Sequence, residues 1–309
     1  MTVSKAVDSL EINGNFIRSA LDFPARADRH SPPSMPETPD AALAATFDPE
    51  LDRVAWIFRD HGGTDFGYLA WHFRRFKETK RIFEETHERR GQRVLDVGAH
   101  WLHQALLYAQ DGYRVTAADF PITIENPAVK SLAAAHGIER ISYEDLEAPT
   151  AFSAIPDGTF DVILFTEIIE HITFNPVAMW KEMYRLLAPG GVIVVTTPNY
   201  YSVKGRAWGF RRTLHGYGSA LPVEEILRVP TYGPHWKEFS LRELWVYFSL
   251  LSPDFKIHKA IYVDDYYAGP KISAILRFFE RKFPVLQRNL HIEVTLPSKE
   301  KGIVIAPTF

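Results

Sequence analysis

The chain has 309 residues, enough for a full hydrophobic core. Its formal charge is −3, with 24% charged and 46% hydrophobic residues, a balance that argues against a dedicated nucleic-acid binder. It has no cysteine, which excludes disulfides, thiolate metal sites and a cysteine nucleophile.

Residues 1–50 read as an N-terminal arm, partly irregular, with four prolines between Arg26 and Pro39. Met1 to Asn15 lacks the apolar centre of a signal peptide, and no apolar run is long enough to span a membrane, so a cytoplasmic location is expected. Residues 51–91 read as a helical cap. A short helix is expected over Glu50–Arg59, and a stronger one over Phe66–Glu85. In the second, Phe66, Leu69, Phe73, Phe76 and Phe83 make an apolar stripe at helical spacing, while His72, Arg75 and Thr79 share another face.

Residues 92–309 then alternate β and α signals. Strands are expected over Arg93–Val97, Arg114–Asp119, Ile141–Asp145, Phe160–Glu167 and Val192–Thr197. Helices are expected over Leu102–Gln110, Ile124–His136 and Pro176–Leu187. This order implies a mostly parallel sheet with helices on both faces and right-handed crossovers. Residues 200–237 form a long aromatic insertion of the kind that covers a binding site. After it come an expected helix (Leu241–Leu251), a strand (Phe255–Val263), an amphipathic helix (Pro270–Phe283), and short β pieces at Ile292–Leu296 and Ile303–Ile305.

Four pieces of this order carry chemistry. Arg93-Val-Leu-Asp-Val-Gly98-Ala-His100-Trp101 is a buried strand running into a turn, although His100 and Leu102 stand where further glycines are expected. Asp119 ends the second strand. Phe160-Asp-Val-Ile-Leu-Phe-Thr-Glu167 is an apolar strand continued by Ile-Ile-Glu170-His171. Leu186-Leu-Ala-Pro-Gly-Gly191 precedes the fifth strand.

On these pieces the chain resembles the class I S-adenosylmethionine-dependent methyltransferases, from about Arg93 to Asn199 and more weakly to the C-terminus. The resemblance implies a Rossmann-like fold with a seven-stranded sheet and S-adenosylmethionine as cofactor. It places Gly98, Ala99 and His100 beside the methionine part of the cofactor, Asp119 and Phe120 at the ribose, Asp145 and Leu146 at the adenine, and Thr166 nearby. An arginine before the first strand would hold the methionine carboxylate, with Arg75 the candidate and Arg74 the alternative. Trp101 either shares in that contact or packs at the helix start.

Glu167-x-x-Glu170-His171 is similar to a segment that binds magnesium-like ions in ubiquinone-pathway O-methyltransferases and small-RNA 2′-O-methyltransferases, together with a further histidine. Here that histidine would be His235, with His215 in reserve. The implied metal set is Glu167, Glu170, His171 and His235, holding Mg²⁺ or Mn²⁺. The implied catalytic set is His171, Glu167 and His235. His171 stays open between metal ligand and metal-free base.

The segment Thr197–Arg206 and the later His235-Trp-Lys-Glu-Phe-Ser look like methyltransferases associated with bacterial surface glycans. That likeness implies a sugar hydroxyl of a glycan or lipid-linked precursor as acceptor, with Tyr200, Tyr201, Trp208, Tyr217, Tyr232 and Trp236 available for stacking. A catechol-like or natural-product acceptor is the alternative. A binding protein on a degenerate methyltransferase fold is the non-catalytic one. The basic residues of 270–283 allow a peripheral contact with the inner face of a membrane. The oligomeric state is not legible.

Overall fold

The computed structural model describes residues 49–63, 65–87, 91–202, 235–263 and 274–307. Two helices come first, α1 (Pro49–Asp60) and α2 (Phe66–Glu84). The alternating region follows as β1 (Arg93–Val97), α3 (His103–Gln110), β2 (Arg114–Asp119), α4 (Pro121–Ile124), α5 (Pro127–His136), β3 (Glu139–Ser142), β4 (Phe160–Thr166), α6 (Val177–Leu186) and β5 (Leu187–Pro198). The C-terminal part gives α7 (Leu241–Leu251), β6 (Lys256–Val263), α8 (Ala274–Lys282) and β7 (Asn289–Leu296).

Among the described residues the strands form one open seven-stranded sheet in the order β3-β2-β1-β4-β5-β7-β6. The first five run parallel, and β7 pairs antiparallel with both β5 and β6. The order reverses between β1 and β4, so the crevice for a ligand lies at the carboxyl ends of these strands.

Each face of the sheet carries its own apolar cluster. On one, Leu51, Val54 and Phe58 of α1 and the α2 stripe pack with Val94, Leu106, Leu132 and Val194. On the other, Trp180, Met183, Phe248 and Leu251 pack with Leu95, Ile163, Val195 and Ile292. The central strands are therefore apolar on both sides, as continuous runs such as Asp161-Val-Ile-Leu-Phe require. All five members of the α2 stripe are buried. On its second face Arg75 and Thr79 are 2% and 0% exposed and His72 is half-buried, and Arg75 lines the ligand crevice.

Several expected elements differ. The single helix over 124–136 is two, because Pro127 has no N–H to continue a helix and Asn126 caps a new one by accepting from Ala128 N. β3 lies earlier than expected, its pairing with β2 starting at Glu139. β5 begins at Leu187 and runs through the Pro189-Gly190-Gly191 turn, with a register shift against β4. Gly191 is required there: a Cβ would come within 2.8 Å of Ala188 O and 2.9 Å of Asp161 O. Residues 303–305 are not a strand, and Val304 N instead donates to Leu251 O. Of the helix expected over 270–283, the described part is Ala274–Lys282. The arm over residues 1–48 and most of the insertion, 203–234, lie outside the described residues.

Candidate active site

Two groups of side chains meet at the carboxyl ends of β1, β2 and β4. The first lines a cleft formed by Tyr68, Arg75, Phe76, Asp96, Gly98, Ala99, His100, His103, Gln104 and Thr166. The turn after β1 shapes it. Gly98 has φ +74, and a Cβ there would lie 2.2 Å from Ile168 Cδ1. His100 and Leu102 also take positive φ, 49° and 68°. The backbone thus makes the turn that glycines favour, with side chains in place of two of them. His100 turns its ring into the cleft, its centroid 4.6 Å from that of Tyr68, while Trp101 is half-buried against the core of α1–α3.

Asp119 closes the turn. Its Oδ2 accepts from His100 N at 2.5 Å and its Oδ1 from Phe120 N at 2.6 Å. Burial raises its pKa, and those two hydrogen bonds oppose the rise. Phe120 leans on Tyr143, with ring centroids 4.9 Å apart. Asp145 is half-exposed, and its Oδ1 accepts from Glu147 N at 2.7 Å in a local turn. Leu146 is buried in the core of that face. Neither residue lines the cleft described above.

Inside the cleft, Asp96 is fully buried and its pKa is pushed up to about 8, by desolvation first and by Asp119 second. Burial also keeps His72, His100 and His103 neutral, with His100 brought down to about 4. Thr166 Oγ1 donates to Gln104 Oε1 at 3.1 Å. Asp96 Oδ2, His100 Nδ1 and Gln104 Nε2 are buried with no hydrogen-bond partner among the described residues. Buried polar atoms without partners are costly unless a ligand supplies them. Together with Arg75, they suit the amino and carboxylate groups of an amino-acid moiety, so the residues present fit the methionine end of the expected cofactor. Arg74 is exposed, and Arg75 is the arginine that lines the cleft.

Tyr68, Asp96, His103 and Gln104 were not expected from the sequence as site residues. Tyr68 was within reach, since positions 68, 72, 75 and 79 repeat along one helical face.

The second group follows β4. Glu167 takes φ 55, and its N–H donates to Thr196 O at 2.8 Å. Its Oε1 accepts from Thr196 Oγ1 at 2.9 Å and lies 3.7 Å from Arg75 Nη1. A short 3₁₀ turn, Ile169–His171, then buries Glu170 completely. Its Oε2 accepts from Thr197 Oγ1 at 2.9 Å, while Oε1 is 4.0 Å from His171 Nε2. Burial, then the nearby charge of Glu167, pushes the Glu170 carboxyl well above the usual range.

Trp236 N donates to Glu170 O at 2.8 Å, which carries His235 back across the site. The rings of His171 and His235 meet edge to face, with centroids 4.7 Å apart. Ligand atoms of Glu170, His171 and His235 lie within 4.8 Å of one another. The structure therefore brings together three of the four residues expected to bind a metal. Glu167 turns instead toward Arg75 and Thr196, and His215 lies outside the described residues.

The methyltransferase-domain family matches residues 70–247. The chain is 31% identical over 153 residues to a ubiquinone biosynthesis O-methyltransferase of Caulobacter sp. strain K31, covering 48% of this chain and 54% of that protein. It is 32% identical over 107 residues to a phosphoethanolamine N-methyltransferase of Triticum aestivum, covering 34% and 20% of the two. It thus spans about half the length of the first relative and a fifth of the second. Among solved structures, it superposes on a chain of the Haloferax volcanii complex between the Trm112 methyltransferase activator and a methyltransferase, with TM-score 0.50 and 14% identity, covering 80% of this chain and 96% of that one; this shows the fold. The family match extends over more than half of the sequence, and the sheet carries the strand order and cleft described above: the chain belongs to the class I S-adenosylmethionine-dependent methyltransferases.

Proposed function

We propose that the chain catalyses O-methyl transfer from S-adenosylmethionine to a sugar hydroxyl of a glycan or a lipid-linked glycan precursor. One observation carries the reading. A cleft with unpartnered buried polar atoms opens beside two imidazoles and a buried carboxyl, at the same end of the sheet. The bound cofactor supplies an electrophilic methyl group on a sulfonium. The residues of the chain must hold that group and prepare the acceptor oxygen.

Arg75, Asp96, Gln104 and His100 hold the amino-acid end, and Asp119 the ribose. An alcohol is a poor nucleophile at neutral pH, so its proton has to be accepted or its pKa lowered. Glu170, His171 and His235 have the ligand types and spacing to hold a divalent cation that would lower that pKa. Two imidazoles suit manganese better than magnesium. The alternative is that His171 accepts the proton itself, as a metal-free general base.

The acceptor assignment rests on aromatic surface. Tyr200 and Tyr201 follow β5 with rings 5.2 Å apart, and Tyr201 is exposed. Tyr200 N donates to Phe239 O, on the segment that also carries His235. A lipid-linked acceptor also suits α8, where Phe278, Phe279 and Phe283 are exposed beside the exposed Arg281 and Lys282. None of the helices among the described residues is long and apolar enough to cross a membrane.

The test is transfer of labelled methyl from S-adenosylmethionine to a panel of sugars, lipid-linked sugars and catechols. Labelling of a sugar hydroxyl supports the proposal. Labelling confined to catechols replaces the acceptor, and cofactor binding without transfer to any acceptor favours a non-catalytic protein.

A further inference from the structure

A second cluster of metal-type ligands lies away from the cleft, where the segment after α2 meets the antiparallel edge of the sheet. Glu293 on β7 is completely buried there. Its Oε2 is 3.0 Å from His87 Nε2, and its Oε1 is 3.0 Å from His291 Nε2 and 3.5 Å from Lys259 Nζ. His258 on β6 completes the group: ligand atoms of His87, His258 and Glu293 all lie within 4.8 Å of one another.

Two local features hold this arrangement. Strand β6 shifts register against β7 between Ile257, opposite Val294, and Lys259, opposite Glu293. His258 is the extra residue at that shift. Such irregularities re-aim side chains, and this one delivers His258 to the Glu293 side of the sheet. His87 is fixed by stacking on Phe83, with centroids 4.7 Å apart and planes 14° apart. Its ring also meets that of His258, at 5.5 Å between centroids.

We propose that His87, His258 and Glu293 form a binding site for a divalent cation of the zinc class, separate from the catalytic group. Two imidazoles and one carboxylate are a common zinc donor set, with water in the fourth position. The two oxygens of Glu293 divide the work. Oε2 faces His87, while His291 and Lys259 hold Oε1 and so orient the carboxylate, as groups behind a metal ligand do. The ion takes the place of the hydrogen bond between His87 Nε2 and Glu293 Oε2, with His87 ligating as the neutral imidazole. His258 is exposed, which leaves an entry path from solvent. Bound there, the ion ties the end of α2 to β6 and β7. The same helix carries Tyr68 and Arg75, so the site would fix the placement of one wall of the cleft.

The experiment uses the tag-free, metal-stripped full chain, titrated with zinc chloride in competition with a chromophoric chelator. His258→Ala is the deciding variant, because an exposed side chain is removed with little cost to folding, which circular dichroism checks. The expected result is that His258→Ala binds one equivalent of zinc fewer than the wild-type chain, and that zinc raises the melting temperature of the wild type more than that of the variant. Glu293→Gln should lose the same equivalent where it folds. Equal stoichiometry in wild type and His258→Ala overturns the proposal, as does a wild-type chain that takes up no zinc. The outcome is independent of the catalytic reading, since His171 and His235 are unchanged in both proteins.

Discussion

Arg75 Nη1 lies 3.7 Å from Glu167 Oε1, joining helix α2 to the residue that ends β4, with both side chains almost out of solvent. The pair links the cleft after β1 to the turn after β4 that carries Glu170 and His171. It also directs Glu167 toward Arg75 and Thr196 rather than toward Glu170, His171 and His235.

Glu167→Gln is therefore expected to weaken S-adenosylmethionine binding while leaving divalent-ion binding at Glu170, His171 and His235 in place. Arg75→Ala removes a buried guanidinium from beside the half-buried Glu167, which keeps its hydrogen bond from Thr196, and should lower stability by about 1–3 kcal/mol. Calorimetric titration with the cofactor and with manganese reads the first effect. Thermal unfolding reads the second.

Asp96 gives a pH dependence whose sign can be worked out. Its carboxyl titrates near 3.8 when exposed and at about 8 in the fold. Between those values the folded chain holds a proton that the unfolded chain has released, so stability falls as pH rises. The buried histidines act the other way, but only below their ordinary value of 6.5. From pH 6.5 to 8 the Asp96 effect should dominate at this cleft. The ligand-free wild type is expected to melt a few degrees lower at the upper end, since about 1 kcal/mol moves a chain of this size by ~2 °C. Asp96→Asn should flatten that slope and weaken cofactor binding.

Gly98→Ala meets two obstacles, a positive φ and a methyl group directed at Ile168. Conformational strain of about 1–2 kcal/mol is expected from the first. The second displaces Ile168, the neighbour of Glu167, so turnover should fall along with cofactor affinity. Comparing kcat with KM for S-adenosylmethionine tests this, and a variant with unchanged kinetics would refute it.

For the catalytic group, His171→Ala is expected to lower the rate by at least about a hundredfold, the usual contribution of a positioned acid–base group. Chelation should lower it comparably, with recovery on adding manganese. Activity that survives chelation and Glu170→Gln but not His171→Ala would assign His171 as a metal-free base.

Much of the sheet was legible in the sequence because its central strands are buried on both faces, and such runs are continuous and apolar. Val162–Phe165 within β4 and Val192–Val195 within β5 are examples. Positions governed by long-range contact were not. Asp96 reads as one acid in an apolar strand, and only the fold shows that its Oδ2 faces a cleft beside Asp119 and Arg75. Glu167 looked equivalent to Glu170 from their spacing. A positive φ at Glu167 and a burying 3₁₀ turn over 169–171 send the two carboxyls to different partners. His235 was legible only through the resemblance, because it lies 64 positions after His171 and its segment is returned to the site by backbone bonds from Trp236 N and Lys237 N to Glu170 O.

The turn after β1 has a consequence for how such clefts diversify. His100 and Leu102 hold left-handed backbone conformations that a glycine would adopt at lower energy. Leu102 recovers that energy in the core, where it is completely buried. His100 spends it on a ring that lines the cleft. The path of the loop and the chemistry of its lining are thus separable: one backbone trajectory admits either a bare floor or an imidazole one, and the choice can tune the grip on a shared cofactor without altering the scaffold around it.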